Sequence, residues 1–97
     1  MNVRDKIKHE LFEIKREGIS KLVVFLEENG FFKVPASKNN HLNIKTGLAK
    51  HSWNVFQYYK MLAKHFGLLN PNHPEHINLD SIRIEGLLHD VTKIDEY

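Results

Sequence analysis

Residues 47–66, GLAKHSWNVFQYYKMLAKHF, form the longest stretch of regular hydrophobic spacing in this chain. Its apolar positions are three or four residues apart and comprise Leu48, Val55, Tyr59 (or Tyr58), Leu62 and Phe66, with His51 in the same stripe. This spacing follows the turn of an α-helix, about 3.6 residues, and predicts one long amphipathic helix. Gly67 comes directly afterwards and is predicted to end the helix.

Two shorter helices are predicted before this stretch. Val3, Ile7, Leu11 and Ile14 recur at helical spacing and indicate a helix over residues 3–17, with Gly18 as its stop. Ser20 is expected to cap a second helix that ends at residues 29–30, with Gly30 in the left-handed conformation. Residues 31–34 are then predicted to be extended, because a residue that precedes proline disfavours the helical region. The polar segment 35–46 is predicted to be a loop.

A last helix is predicted after the proline-containing loop of residues 68–79. Asp80 is its expected N-cap, and the helix is expected to run from Ser81 to Val91 or Lys93. No strand pair is visible in the pattern. The sequence therefore predicts an all-α fold, a compact bundle of about four to five helices. We expect a single domain over residues 1–97, with an N-terminal helical pair in 1–30 and a motif-bearing part in 31–97.

The composition is that of an ordinary globular protein, with 41% hydrophobic and 27% charged residues in 97. Cysteine is absent, which excludes disulfides and thiolate metal sites. The net charge of +2 permits an anionic substrate, and the scattered lysines do not favour a duplex-DNA groove. Neither a signal peptide nor a membrane-spanning run is apparent, so a cytoplasmic location is expected.

A histidine and an aspartate stand side by side at His89 and Asp90, directly after an apolar pair. Imidazole and carboxylate groups are common ligands of divalent transition metals. A second histidine, His51, lies on the buried stripe of the long helix, which must pack against the last one. His51 on such a stripe is also compatible with a core histidine bonded to a carbonyl. Trp53, Tyr58 and Tyr59 are interpreted as core or rim residues rather than as a base-stacking platform.

The segments 47–55, GLAKHSWNV, and 86–93, GLLHDVTK, resemble in order and spacing the motifs of the HD-domain superfamily of metal-dependent phosphohydrolases. Residues 35–41, PASKNNH, resemble one branch, which includes the HD module of bacterial 3′-5′ exoribonucleases, an HD domain of conjugative relaxases, and phage HD proteins. The resemblance covers about Phe31 to Tyr97. It implies hydrolysis of a nucleotide or nucleic-acid phosphoester by metal-activated water.

The resemblance also implies roles for individual residues. It makes His51, His89 and Asp90 ligands of a divalent transition metal ion, Mn, Fe, Ni or Zn, with Asp90 also catalytic. Lys93 matches a lysine that contacts phosphate in catalysis, and His41 matches a histidine that would bind the substrate phosphate. A phosphate-containing small molecule or single-stranded nucleic acid is the expected partner, and a membrane is not.

One departure from the family pattern leaves the enzymatic activity open. The family closes its site with a further aspartate on a later helix, and no counterpart follows Asp90 at the usual distance before Tyr97. An alternative expectation is therefore a truncated, catalytically silent HD-like domain that binds a nucleotide or a protein partner. Exposed apolar surface is expected in either case, which favours self-association into a homo-oligomer.

Overall fold

Four α-helices occur in the part of the chain that our computed structural model describes, residues 2–33 and 47–92. They are α1 (Val3–Phe12), α2 (Ile19–Glu28), α3 (Gly47–His65) and α4 (Leu79–Leu88). No strand is present in these two ranges, so the all-α prediction is confirmed. None of the helices within them combines the length and the apolar character needed to cross a membrane.

Helix α1 is shorter than its hydrophobic spacing predicts. Asn2 caps it, because the side chain of Asn2 accepts a hydrogen bond of 2.8 Å from the backbone N–H of Asp5. The helix ends at Phe12, and the N–H of Ile14 donates to the carbonyl of Leu11 in a tight final turn. Ile14 is buried in the core from this turn. The predicted extension to Glu17 is wrong, since the helix ends at Phe12 and a turn follows.

Helix α2 begins one residue after Gly18, which adopts a left-handed φ of 87° as its N-cap. Ser20 therefore lies inside the first turn and is not the cap, and Gly18 begins this helix instead of ending the previous one. The C-terminal prediction is confirmed, because Gly30 has a φ of 81° after the helix ends at Glu28. Glycine tolerates this conformation without the steric cost of a Cβ.

Phe31 and Phe32 are buried in a turn rather than extended, so the prediction for this segment is wrong. The N–H of Phe31 donates to the carbonyl of Leu26 at 3.0 Å, and the N–H of Gly30 donates to Glu27 at 3.4 Å. This pair of bonds is a Schellman motif, which folds the residue after the glycine back onto its own helix. Val34, also predicted to be extended, and residues 35–46, predicted to form a loop, lie outside the described ranges.

Helices α3 and α4 are antiparallel neighbours joined by a turn-rich connection. Gly67, with a φ of 71°, ends α3 as predicted. The side chain of Asn78 caps α4 by accepting a 2.7 Å bond from the N–H of Asp80. Asp80 is therefore not the N-cap but belongs to the first turn. The helix ends at Leu88, earlier than predicted, so that His89 and Asp90 follow its last turn.

The core lies between all four helices, and α3 and α4 form the most extensive helix pair in the described part of the chain. Its fully buried side chains include Ile7, Leu11, Leu26, Phe31, Leu48, Phe56, Ile82 and Leu87. The two helices approach most closely at Gly86, where an added Cβ would stand 2.7 Å from the Cα of Phe56. This close approach fixes the end of α4 against the side of α3.

An ion-pair network joins α4 to α1. The Nε of Arg83 donates to Glu10 at 3.0 Å, and its Nη1 donates to Asp80 at 2.8 Å. Burial alone would lower the pKa of the Arg83 guanidinium, but the hydrogen bonds and charges of Glu10 and Asp80 outweigh that effect and raise it. Arg83 is therefore charged and paired where the two helices meet.

Candidate metal centre

His51, His89 and Asp90 meet where the beginning of α3 lies beside the end of α4. His51 is in the second turn of α3, His89 is the C-cap residue of α4, and Asp90 follows it. The antiparallel packing of the helices places these two ends together. The prediction that both helices contribute to one cluster of these three residues agrees with the geometry.

One carboxylate oxygen of Asp90 lies between the two imidazoles. The Oδ2 atom of Asp90 is 3.0 Å from Nε2 of His89 and 3.3 Å from Nε2 of His51. The centroids of the two rings are 5.3 Å apart, with the ring planes tilted by 54°. The His51 and Asp90 side chains are 32% and 24% exposed, which leaves the cluster accessible from solvent on one side.

The orientation of His89 is fixed by its other nitrogen. Its Nδ1 atom is 2.9 Å from the carbonyl oxygen of Gly86. A carbonyl oxygen only accepts, so Nδ1 must carry the proton, and in a neutral ring Nε2 then presents a lone pair to Asp90. A cation shared by this nitrogen and the Asp90 carboxylate, 3.0 Å away, would attract both groups. The arrangement is that of a metal-ligating histidine held by a backbone carbonyl.

The three ligand atoms fit a small divalent cation. One ligand atom from each residue lies within 4.8 Å of the other two. Two donors at about 2.0–2.1 Å from a tetrahedral ion are about 3.4 Å apart, close to the two separations between Oδ2 of Asp90 and the histidine nitrogens. His51, His89 and Asp90 can therefore hold a metal ion. The identity of the ion is not determined by this donor set, because imidazole and carboxylate suit several transition metals.

A polar pair lies along the same helix interface, and no motif of the sequence indicated it. The hydroxyl of Tyr59 donates a 2.8 Å hydrogen bond to Oε2 of Glu85, one helical turn before His89 on α4. This bond, together with partial burial and the negative charge of Glu85, raises the pKa of Tyr59 above its ordinary value of 10.0. Tyr59 thus remains protonated and joins α3 to α4 through Glu85.

The other predicted site residues lie outside the cluster or outside the described ranges. His41 and Lys93, the predicted phosphate contacts, belong to the segments that the structure does not describe. In the loop after α3, Nδ1 of His73 accepts from the N–H of Glu75, and Nδ1 of His76 donates to the carbonyl of Leu68. These two histidines serve the local turn. Of the residues described, those at 51, 89 and 90 form the one group with metal-ligand geometry.

Gly86 contributes to the geometry of the cluster in a way that was not predicted from the motifs. Gly86 permits the close contact with α3, and its carbonyl orients His89. A glycine inside a predicted helix, three residues before a histidine, was the signal in the sequence that could have indicated it.

Comparisons with protein-family models, with curated proteins and with solved structures gave no significant match for this chain. The resemblance to HD-domain phosphohydrolases therefore remains a prediction from the motif residues.

Proposed function

We propose that this chain is an HD-type, metal-dependent phosphohydrolase domain that acts on a nucleotide or a nucleic-acid phosphoester. The observation that supports this proposal is the convergence of His51, His89 and Asp90 on one point between α3 and α4. The motif order in the sequence supports it independently. Three protein ligands suit a catalytic site, since such sites keep a coordination position open, whereas structural zinc sites are closed by four.

Each residue of the proposed site would have its own role. His51 and His89 would hold the ion, and the carbonyl of Gly86 would keep His89 in the tautomer that leaves its Nε2 nitrogen available. Asp90 would supply the negative charge that balances the cation. Once bound, a divalent ion supplies a Lewis acid for a phosphoryl oxygen and lowers the pKa of a water molecule. We assign the phosphate contacts to His41 and Lys93, from the resemblance.

A second candidate function is a catalytically silent HD-like domain that binds a nucleotide or a protein partner. The observation that favours it is that Asp90 pairs with both histidines directly, so the cluster can also hold α3 to α4 as an ion pair with a protonated histidine. Large apolar side chains are exposed as well, including Phe12, Val24 and Phe25. These exposed side chains support our proposal that the protein self-associates. We also propose that either form of the protein is cytoplasmic.

Metal analysis and a hydrolysis assay on the same samples test the two candidates. Wild type is reconstituted with Mn²⁺, Fe²⁺, Ni²⁺ or Zn²⁺ and compared with Asp90→Asn, with Asp5→Asn as a control at an exposed aspartate outside the cluster. We expect metal-dependent cleavage of bis-p-nitrophenyl phosphate by wild type and Asp5→Asn, but not by Asp90→Asn. Wild type that retains no ion after reconstitution would show the metal proposal to be wrong. Bound ion without hydrolysis would favour the binding domain.

A further inference from the structure

An apolar groove runs along the C-terminal half of α3. Its volume is about 400 Å³, and the residues that line it include Val55, Tyr58, Tyr59, Leu62, Phe66 and Leu68. This volume is within the range of small-molecule sites, about 300–1,000 Å³. Three of these six residues are aromatic. The groove is therefore large enough for one planar ring system, and rings form much of its wall.

The groove continues the face of α3 that carries His51. Residues 51, 55, 59, 62 and 66 follow one another at steps of three or four, which places them on one side of the helix. With a rise of about 1.5 Å per residue, Val55 is about 6 Å and Tyr58 about 10 Å from His51 along the axis. A short ligand can thus have one end at the cluster and the other in the groove.

The residues that line the groove offer few hydrogen bonds that could distinguish one ligand from another. The hydroxyl of Tyr59 is already committed as a donor to Glu85 at 2.8 Å. The side chains of Val55, Leu62 and Phe66 carry no hydrogen-bonding atoms. A planar ligand would be held by its faces, and its polar edges would remain in solvent.

We infer that this groove binds the base of a nucleotide whose phosphate lies at His51, His89 and Asp90. This inference rests on the proposed function and extends it, because it assigns a base site that accepts any base by stacking. Tyr58 supplies the exposed ring, at 66% exposure. Phe66 is about 22 Å from His51 along the helix axis, beyond the reach of a nucleotide whose phosphate lies at the cluster. The exposure of Tyr58 changes its interpretation as a core or rim residue, because a ring open to solvent is available to a ligand. Aromatic rings stack on all four bases, since every base has a π-face.

Equilibrium binding to metal-loaded protein tests the inference. Adenosine and uridine 5′-monophosphates are compared with ribose 5-phosphate, which has the phosphate but no base. We expect both nucleotides to bind roughly 5- to 150-fold more tightly than ribose 5-phosphate, the range for one stacked base. The two nucleotides should differ from each other by much less. Octyl phosphate, which has a hydrocarbon chain instead of a base, tests whether the groove binds a hydrocarbon chain equally well.

Variants of the groove locate the effect. Tyr58→Ala should reduce the advantage of the nucleotides over ribose 5-phosphate severalfold, whereas Tyr58→Phe should retain it. Met61→Ala is the matched control, because Met61 is also exposed on α3 but is not among the residues that line the groove. Equal nucleotide affinity in Tyr58→Ala and wild type would overturn the assignment.

Two further outcomes are kept separate by measuring the metal content of each sample. Loaded protein that binds ribose 5-phosphate or octyl phosphate as tightly as nucleotides would overturn the base site alone. Protein that holds no ion would overturn the proposed function and this inference with it.

Discussion

A methyl group on Gly86 would collide with the backbone of Phe56. A Cβ built at Gly86 stands 2.7 Å from Cα and 3.2 Å from the backbone nitrogen of Phe56. Because the colliding atoms belong to the main chain of α3, no side-chain rotation relieves the contact. His89 and Asp90 follow Gly86 by three and four residues, so their distance from His51 depends on this approach of the two helices.

Gly86→Ala is accordingly expected to separate the halves of the metal centre. We expect a loss of about 1–3 kcal/mol in the free energy of unfolding, the usual cost of overpacking. Metal affinity should fall about 10- to 100-fold, as it does when a group that orients a ligand is displaced. Urea unfolding and metal titration measure the two effects. Ser81→Ala, elsewhere on α4, is the control, and unchanged metal affinity in Gly86→Ala would contradict the prediction.

His51→Ala should abolish tight metal binding, because one of three protein ligands is removed. His65→Ala, an exposed histidine at the other end of α3, should bind the ion like wild type. Metal affinity of the wild type should also decrease as the pH is lowered, because protons compete with the ion for the imidazole nitrogens. Isothermal titration at several pH values measures both effects. Equal affinities of the two variants would show that the ion binds elsewhere.

Arg83→Ala should destabilise the fold far more than Arg4→Ala. The Arg83 side chain is only 14% exposed, and its loss leaves the partly buried carboxylates of Glu10 and Asp80 without their cation. We expect a cost of about 1–3 kcal/mol, measured by urea unfolding. The Arg4 side chain is 48% exposed, and its pair with Glu27 should contribute less than about 1 kcal/mol. A similar loss in the free energy of unfolding for both variants would mean that burial of the Arg83 network adds nothing to stability.

The ion pair between Lys8 and Glu27 should be visible in the titration of Glu27. The hydrogen bond from Lys8, at 2.6 Å, is the main reason that the pKa of Glu27 is below its ordinary value of 4.5. A lowered carboxyl pKa contributes stability above pH 4.5 that is lost as the pH falls through the folded-state pKa. Lys8→Ala should raise the pKa of Glu27 towards 4.5, as NMR of its side-chain carboxyl carbon would report. Lys21→Ala provides a control at an exposed lysine on α2.

Ser52→Ala is expected to stabilise the protein. The hydroxyl of Ser52 is fully buried and has no hydrogen-bond partner in the described part of the chain. A buried hydroxyl without a partner costs about 1–3 kcal/mol, and alanine has the higher helix propensity. Thermal unfolding should therefore show a higher midpoint for the variant. A lower midpoint would indicate that the hydroxyl of Ser52 is hydrogen-bonded in solution.

Hydrophobic spacing was sufficient to predict the helices but not all of their ends. The α3 stripe indicated one long helix that ends before Gly67, as observed. The end of α1 was misplaced because Ile14 continues the helical spacing although it is buried from a turn. The start of α4 was misplaced because Asn78 and Asp80 are both good capping residues, and only the backbone conformation decides between them.

The members of the candidate metal centre were predicted from residue types, but their geometry was not. A histidine on α3 and a histidine–aspartate pair near the end of α4 indicated a shared site if the helices packed together. The role of Gly86 could not be derived, because spacing does not report how closely two backbones approach. The hydrogen bond between Tyr59 and Glu85 likewise depends on the relative rotation of α3 and α4.

The position of the cluster at the open end of the α3–α4 hairpin has a consequence for folding. The turn after Gly67 already closes one end of this hairpin, and an ion shared by His51 and His89 would cross-link the other. An ion bound in this way would stabilise the native state alone. An ion concentration one hundred times Kd would therefore add about 2.7 kcal/mol to the free energy of unfolding. Amide hydrogen exchange in the last turn of α4, where helices normally fray, would then slow in proportion to the ion concentration. The rigidity of this last turn would therefore depend on how much metal ion is available to the three side chains.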